Sequence, residues 1–122
     1  MEGTALNQQV KTDVSDGLEI VSMLYDGALR FIDKAKEKIK IGDAVGRSHF
    51  IKKTSAIVKE LSMSINNDGG EIALNLRNLY DFVLESLVKA DADNDMNALI
   101  NAERVLDILR SAWTDMQAAG KI

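Results

Sequence analysis

The chain contains no cysteine and no proline, and aromatic residues make up only 5% of its 122 positions. Without cysteine it has no disulfide bonds and no thiolate metal ligands. Without proline its helical segments lack their strongest breaker. The hydrophobic share is 46%, so the core must be built mainly from aliphatic side chains. A chain of this length fits one domain that buries a core without cross-links.

Long apolar runs and an excess of positive charge are also missing. No segment reaches the roughly 18 consecutive apolar residues that a membrane-spanning helix needs, and residues 1–4 show no signal-peptide pattern. We therefore expect a cytoplasmic protein with no membrane insertion. The net charge of −4 disfavours nucleic acid. One segment, 42–65, is locally basic but lacks aromatics for base stacking, so it indicates a solvated helix face; its basic residues are Arg47, Lys52, Lys53 and Lys59.

The residues needed for catalysis or metal binding are scarce. His49 is the single histidine, whereas a bundle metal centre of the Glu-x-x-His type needs two such pairs. The segment 91–95 begins like a calcium loop, but Met96 and Ala102 occupy the positions that require glycine and glutamate. The serines lack a neighbouring base for nucleophilic catalysis. We predict no enzyme, no metal site and no cofactor.

Four amphipathic segments of similar length predict an all-α fold, an antiparallel up-down-up-down four-helix bundle. The short links between them favour this topology. The predicted core stripe of the second helix is Ile51, Thr54, Val58, Leu61 and Ile65, and that of the third helix is Ile72, Leu76, Leu79, Val83 and Ala90. The predicted division of the chain is an arm at 1–15, a bundle at 16–118 and a tail at 119–122. The predicted helices run from Ser15 or Asp16 to Ile41, from the cap Asp43 to Ile65, from Glu71 to Ala90, and from the turn at 91–94 to Ala118.

The first fifteen residues are too polar for a bundle helix, and we expect a short mobile arm. Leu6, Val10 and Val14 recur every four residues and can form one short apolar edge. So short a helix is marginal alone in water. The pattern favours an arm that acts as a displaceable lid over apolar surface.

Gly27 lies inside a strongly helical segment, where glycine costs about 1 kcal/mol relative to alanine. We expect close approach by another backbone, from a neighbouring helix or a bound partner, to compensate. The helices also carry apolar rows beyond the single stripe that a bundle helix buries, and this excess is either wide core or a partner groove. The predicted partner-binding residues are Ile20, Leu24, Phe31, Phe50, Ile57, Leu74, Leu84 and Val88.

Several segments together resemble the FliS family of flagellar export chaperones. They are Met-Leu-Tyr-Asp-Gly-Ala at 23–28, Ile-Val-Lys-Glu-Leu at 57–61, Leu-Tyr-Asp-Phe at 79–82, and Leu-Arg-Ser-Ala-Trp at 109–113. The resemblance implies a cytosolic bundle that binds the disordered C-terminal segment of flagellin and prevents its polymerisation before type III export. Flagellar export gate components and a second copy of the chain are further candidate partners.

The chain departs from the family pattern at two places. Ser15-Asp16 stands where the family often has Ser-Pro, and aspartate can cap a helix there. No tyrosine precedes Tyr25, although the family tends to carry tyrosines in the arm, so a role for an arm tyrosine does not transfer. Two alternatives stay open: a self-associating or helix-binding structural or regulatory bundle without an export role, and an adaptor that binds an acidic partner through the basic face of the second helix.

Overall fold

A computed structural model describes the backbone of residues 2–65 and 69–120, with side chains from residue 19 onward within those ranges. The described part consists of four α-helices joined by short turns and contains no strand, which confirms the predicted all-α class. The helices are α1 (Glu2–Lys40), α2 (Ala44–Met63), α3 (Gly70–Asp93) and α4 (Met96–Ala118).

The helices form a closed ring in which α1 and α3 each pack against both α2 and α4. Contacts between α1 and α4 run in opposite order along the two helices. The Ser22 hydroxyl donates to Gln117 near the end of α4 at 3.3 Å. Further along α1, the Lys36 ammonium donates to Glu103 in the first half of α4 at 2.8 Å. These two helices are therefore antiparallel.

The other neighbouring helices are antiparallel for the same reason. Phe31 of α1 stacks on Phe50 near the start of α2, whereas Gly27, earlier on α1, lies beside Ile57, later on α2. Arg47 at the start of α2 pairs with the far end of α3. Since α1–α2, α2–α3 and α1–α4 all run in opposite directions, α3 and α4 do too.

The core follows the apolar stripes of the four helices and is mainly aliphatic. The exceptions include Tyr25 and Tyr80, whose hydroxyl oxygens lie 2.5 Å apart in a buried hydrogen bond between α1 and α3. The Thr54 hydroxyl, also buried, donates to the Phe50 carbonyl within α2. The residues with no exposed surface are Ala28, Ile32, Ala35, Thr54, Val58, Val83, Leu87, Ala90, Leu99, Ala102 and Leu106.

The helix ends follow local backbone chemistry. Gly42, after α1, has a φ of 74°, in the left-handed region that glycine adopts without a Cβ penalty. The Asp43 carboxylate then accepts from the Gly46 amide at 2.9 Å and caps α2. Asn94 ends α3 with a φ of 51°. The Asp95 carboxylate caps α4 by accepting from the backbone amides of Asn97 and Ala98.

Two predicted helix boundaries differ from the structure. The first helix begins at Glu2, not at Ser15 or Asp16, because polar residues in the predicted arm do not interrupt the helical backbone. The side chains of that segment lie outside the described ones, so the lid at Leu6, Val10 and Val14 stays a prediction. The third helix continues to Asp93, so the segment predicted to break it is its last turn.

Candidate functional site

One apolar surface lies between α1 and α2. Ile20, Leu24, Gly27 and Phe31 recur at three- and four-residue steps and so share one side of α1. Two of them meet α2 directly. The Phe31 and Phe50 rings stack at 6.0 Å between centroids, with an interplanar angle of 27°. We call this the α1–α2 surface; it contains five of the eight predicted partner-binding residues, namely Ile20, Leu24, Phe31, Phe50 and Ile57.

The α1–α2 surface is half open to solvent. Ile20 is 55% exposed, whereas Leu24, Phe50 and Ile57 are partly buried against the core. Two ammonium groups border the stacked rings. Lys34 lies 5.8 Å from the Phe50 ring centroid and Lys53 lies 5.5 Å from that of Phe31. The surface is therefore an apolar strip with a basic margin.

Gly27 has a neighbour on this surface, but of a different kind from the one expected. A Cβ added at Gly27 would lie 3.4 Å from the Cδ1 atom of Ile57. The compensating approach within the chain is thus made by the tip of a side chain on α2, and not by another backbone. Space for a partner backbone at Gly27 stays a prediction.

The other three predicted residues lie on α3. Leu74 and Val88 are 56% and 67% exposed, whereas Leu84 is partly buried against the core. Val88 lines a groove between α2 and α3, on the opposite side of α2 from Phe50. The eight residues therefore do not form one continuous patch, and their role in binding stays a prediction.

The groove between α2 and α3, which we call the α2–α3 groove, has a volume of about 490 Å³. One of its residues, Asp91, already has partners. Its carboxylate accepts from the Arg47 guanidinium at 3.3 Å and from the Ser48 hydroxyl at 2.9 Å. The groove is lined by Ile51, Lys52, Ser55, Ala56, Lys59, Val88, Asp91 and Ala92.

An exposed apolar face on α3 and α4 was missed by the sequence analysis. Ile72 and Leu79 were placed in the core stripe of the third helix, but they are 79% and 42% exposed. The core residues of α3 include Tyr80, Val83, Leu87 and Ala90. The predicted stripe is therefore right at Val83 and Ala90 and wrong at Ile72 and Leu79. We call this the α3–α4 face; its exposed members are Ile72, Leu79, Phe82, Ile108 and Met116.

A cavity of about 460 Å³ lies at one end of the bundle, lined mainly by residues from α1, the end of α2 and the first half of α3. Trp113 of α4 lines it together with Val21 and Tyr25 of α1. The Trp113 indole N–H is buried and has no acceptor among the described residues.

Polar and charged side chains that the structure describes take part in packing contacts. The Glu103 carboxylate raises the pKa of Lys36 by accepting its hydrogen bonds. His49 packs edge-on against Phe50 at 5.0 Å between centroids. Among the side chains described, no group of three His, Cys, Asp or Glu residues is placed to hold a metal ion. Within the described ranges, no helix is long and apolar enough to cross a membrane.

The described part of the chain is thus a four-helix bundle with large apolar residues exposed on its surface. Comparison with known proteins agrees: the sequence profile of the family described as "Flagellar protein FliS" matches residues 2–120. The chain belongs to the FliS family.

Curated relatives named "Flagellar secretion chaperone FliS" cover most of the chain. The protein of Salmonella typhimurium is 32% identical over 78% of this chain and 72% of its own length. That of Campylobacter jejuni is 31% identical over 88% of this chain and 85% of its own. That of Bacillus subtilis is 30% identical over 90% and 81%.

Proposed function

We propose that this protein is a cytoplasmic flagellar secretion chaperone that binds the disordered C-terminal segment of flagellin and prevents it from polymerising before type III export. The observation that supports the proposal is the half-open α1–α2 surface on a chain of the FliS family. The relatives from Salmonella typhimurium and Campylobacter jejuni are named flagellar secretion chaperones. Flagellar export gate components are further proposed partners.

The α1–α2 surface has the properties that such a cargo needs. A disordered segment orders on binding, which costs free energy that buried apolar area must offset. Ile20 is largely open, while Phe31 and Phe50 are partly covered and held by stacking. A preformed row of this kind binds an amphipathic helix along its apolar residues. No catalytic step is part of the proposal.

Titration calorimetry with a flagellin C-terminal peptide tests the proposal. We expect one-to-one binding with a negative heat-capacity change, because apolar surface is buried. Ile20→Asp should weaken binding at least tenfold without unfolding the bundle, since its side chain is 55% exposed. The matched control is Ile108→Asp, which alters a 67% exposed isoleucine on α4 and should leave binding unchanged.

Two results would contradict the proposal. One is no association between the native chain and flagellin at micromolar concentration. The other is equal loss of binding in the two aspartate variants, which would place the cargo elsewhere or show a general effect of charge. A core variant, Leu106→Asp, should instead lower thermal stability strongly, because Leu106 has no exposed surface.

A second candidate function is self-association without an export role. The observation that favours it is the α3–α4 face, where Phe82 and Ile108 are 45% and 67% exposed. Contiguous exposed apolar residues often mark protein interfaces. Sedimentation of the native chain beside the double variant Phe82→Glu/Ile108→Glu tests it. A native dimer that the variant abolishes supports this function, and a native monomer at all concentrations rejects it.

A further inference from the structure

Five of the eight residues that line the α2–α3 groove have small or apolar side chains, namely Ile51, Ser55, Ala56, Val88 and Ala92. Ile51 is 3% exposed and Val88 67%, and Ala56 and Ala92 are exposed as well. Helix axes pack 8–10 Å apart, and small contact residues give the closer spacing. A helix that packs on the two exposed alanines can therefore bring its backbone close to α2 and α3.

The margin of the same groove carries positive charge that is not neutralised. Lys52 and Lys59 are exposed lysines of α2, and neither has a carboxylate partner among the side chains that the structure describes. Asp91, the acid in the groove, is held by Arg47 and Ser48. The charge available to a partner is therefore positive, although the whole chain carries −4.

The two lysines also define a spacing. They are seven residues apart on one helix, which puts them on the same side and about 10.5 Å apart along the axis. A helix packed nearly parallel or antiparallel to α2 presents its own residues at the same seven-residue interval. Two acidic side chains at that interval would face both lysines at once.

We propose that the α2–α3 groove binds an acidic amphipathic helix of a partner protein other than the flagellin cargo. The apolar stripe of that helix packs on Ala56, Val88 and Ala92, and acids seven residues apart pair with Lys52 and Lys59. The groove lies on the opposite side of α2 from Phe50 and Ile57, so both sides of α2 can be occupied at once.

A designed probe tests this chemistry directly on the full-length chain. The probe is a synthetic helical peptide with leucine and alanine along one stripe and glutamate at seven-residue intervals beside it. A second peptide replaces each glutamate with glutamine. We expect the acidic probe to bind at micromolar concentration, to bind several-fold more tightly than the glutamine peptide, and to weaken as salt is raised.

Two pairs of variants with matched charge locate the interaction. Lys52→Glu/Lys59→Glu and Lys89→Glu/Arg104→Glu change the net charge equally, and all four positions are exposed. We expect the first pair to weaken binding of the acidic probe about tenfold or more, because two attractions become repulsions. The second pair should have little effect on binding. Ala56→Trp should block binding of the probe, because the indole would fill part of the α2–α3 groove. Ala112→Trp on α4 is its control, and circular dichroism checks that both variants fold. If Ala56→Trp fails to fold, Ala92→Trp replaces it.

Amide chemical-shift mapping completes the test. Shifts that cluster at Ser55, Ala56, Val88 and Ala92 support the proposal. The proposal is overturned by no binding of the acidic probe at 100 µM, by equal weakening in both charge variants, or by shifts that cluster on the α1–α2 surface. Displacement of the probe by a flagellin C-terminal peptide would show that the cargo binds in the groove, and it would overturn the proposal of a separate partner.

Discussion

Tyr25 and Tyr80 carry the one buried side-chain hydrogen bond described between the diagonal helices α1 and α3. Both rings are almost fully buried, at 4% and 2% exposed, and their hydroxyls lie 2.5 Å apart. Each hydroxyl therefore satisfies the other in a place where an unpaired polar group is costly. The pair fixes the distance across the bundle and borders the cavity beside Trp113.

Removing both hydroxyls of this pair should cost less than the sum of the two single removals. Tyr80→Phe leaves the Tyr25 hydroxyl buried without its partner and should lower the free energy of unfolding by about 1–3 kcal/mol. The double variant Tyr25→Phe/Tyr80→Phe leaves no orphan, so its loss should be smaller than the sum of the single losses. Urea unfolding of the three variants measures this cycle. Strictly additive losses would show that the hydroxyls act independently.

The same pair predicts a loss of stability at alkaline pH. Burial raises the pKa of Tyr25 and of Tyr80 above that of a free tyrosine, which is about 10. Above that pH the unfolded chain releases these protons while the folded chain keeps them. The stabilisation is therefore complete below about pH 10 and is lost as the pH rises further.

Thermal melting at pH 8 and pH 11 checks this expectation. The native chain should lose more stability between the two values than Tyr25→Phe/Tyr80→Phe does. Lys36 also titrates in this range, with its pKa raised by Glu103, but it is common to both proteins and cancels in the comparison. Equal losses in the two proteins would mean that the tyrosines do not contribute.

At the scale of the helices, the core stripe of α2 was predictable, and that of α3 was predictable only in part, at Leu76, Val83 and Ala90. The predicted α2 stripe coincides with the buried and partly buried residues Ile51, Thr54, Val58, Leu61 and Ile65. On α3, apolar residues occur at so many positions that two stripes fit the helical repeat. The choice between them depends on Tyr80, whose hydroxyl can be buried only because Tyr25 on another helix receives it.

The surfaces show the same limit of sequence reasoning. Helical spacing placed Leu24 and Phe31 on one side of α1, and the structure joins that side to Phe50 and Ile57. Spacing could not show that Val88 belongs to a different groove, because a groove depends on which helix packs beside which. The neutralisation of Asp91 by Arg47 is likewise a contact between helices.

Substitution of Gly27 tests how closely α1 and α2 pack at this position. Gly27→Ala should raise the free energy of unfolding by about 0.5–1 kcal/mol, because alanine favours the helix and the new methyl would meet Ile57 at an ordinary contact distance of 3.4 Å. The same methyl should weaken flagellin binding if the cargo backbone approaches there. Thermal melting and calorimetry of one variant separate the two effects.

Gly46→Ala serves as the contrast for this prediction. A Cβ at Gly46 would lie 2.6 Å from the Asp43 carboxylate that caps α2, so this variant should lower the melting temperature. If both alanine variants change stability in the same direction, local packing does not decide the outcome at these glycines.

In the whole molecule, α2 contributes to both of the apolar surfaces that we propose as binding sites. One side of it meets α1 at the stacked rings of Phe31 and Phe50, and the other side meets α3 at Val88 and Ala92. Lys53 borders the first surface, and Lys52 and Lys59 line the second. A locally basic helix on an acidic chain thus separates two apolar surfaces, and the two proposals together place one protein segment on each surface.

The predicted lid at residues 1–15 is a property of the whole molecule, because it concerns what covers apolar surface when cargo is absent. The core residues that the structure describes, from Val21 onward, already come from all four helices. We expect them to keep the bundle folded when residues 1–14 are deleted, with a melting temperature within a few degrees of the native value. If the segment shields apolar surface, the shortened chain should self-associate more strongly, as measured by light scattering, and should bind a flagellin C-terminal peptide as tightly as the native chain or more tightly. A shortened chain that stays folded but no longer binds the peptide would instead make the segment part of the binding site, and the lid interpretation would be wrong.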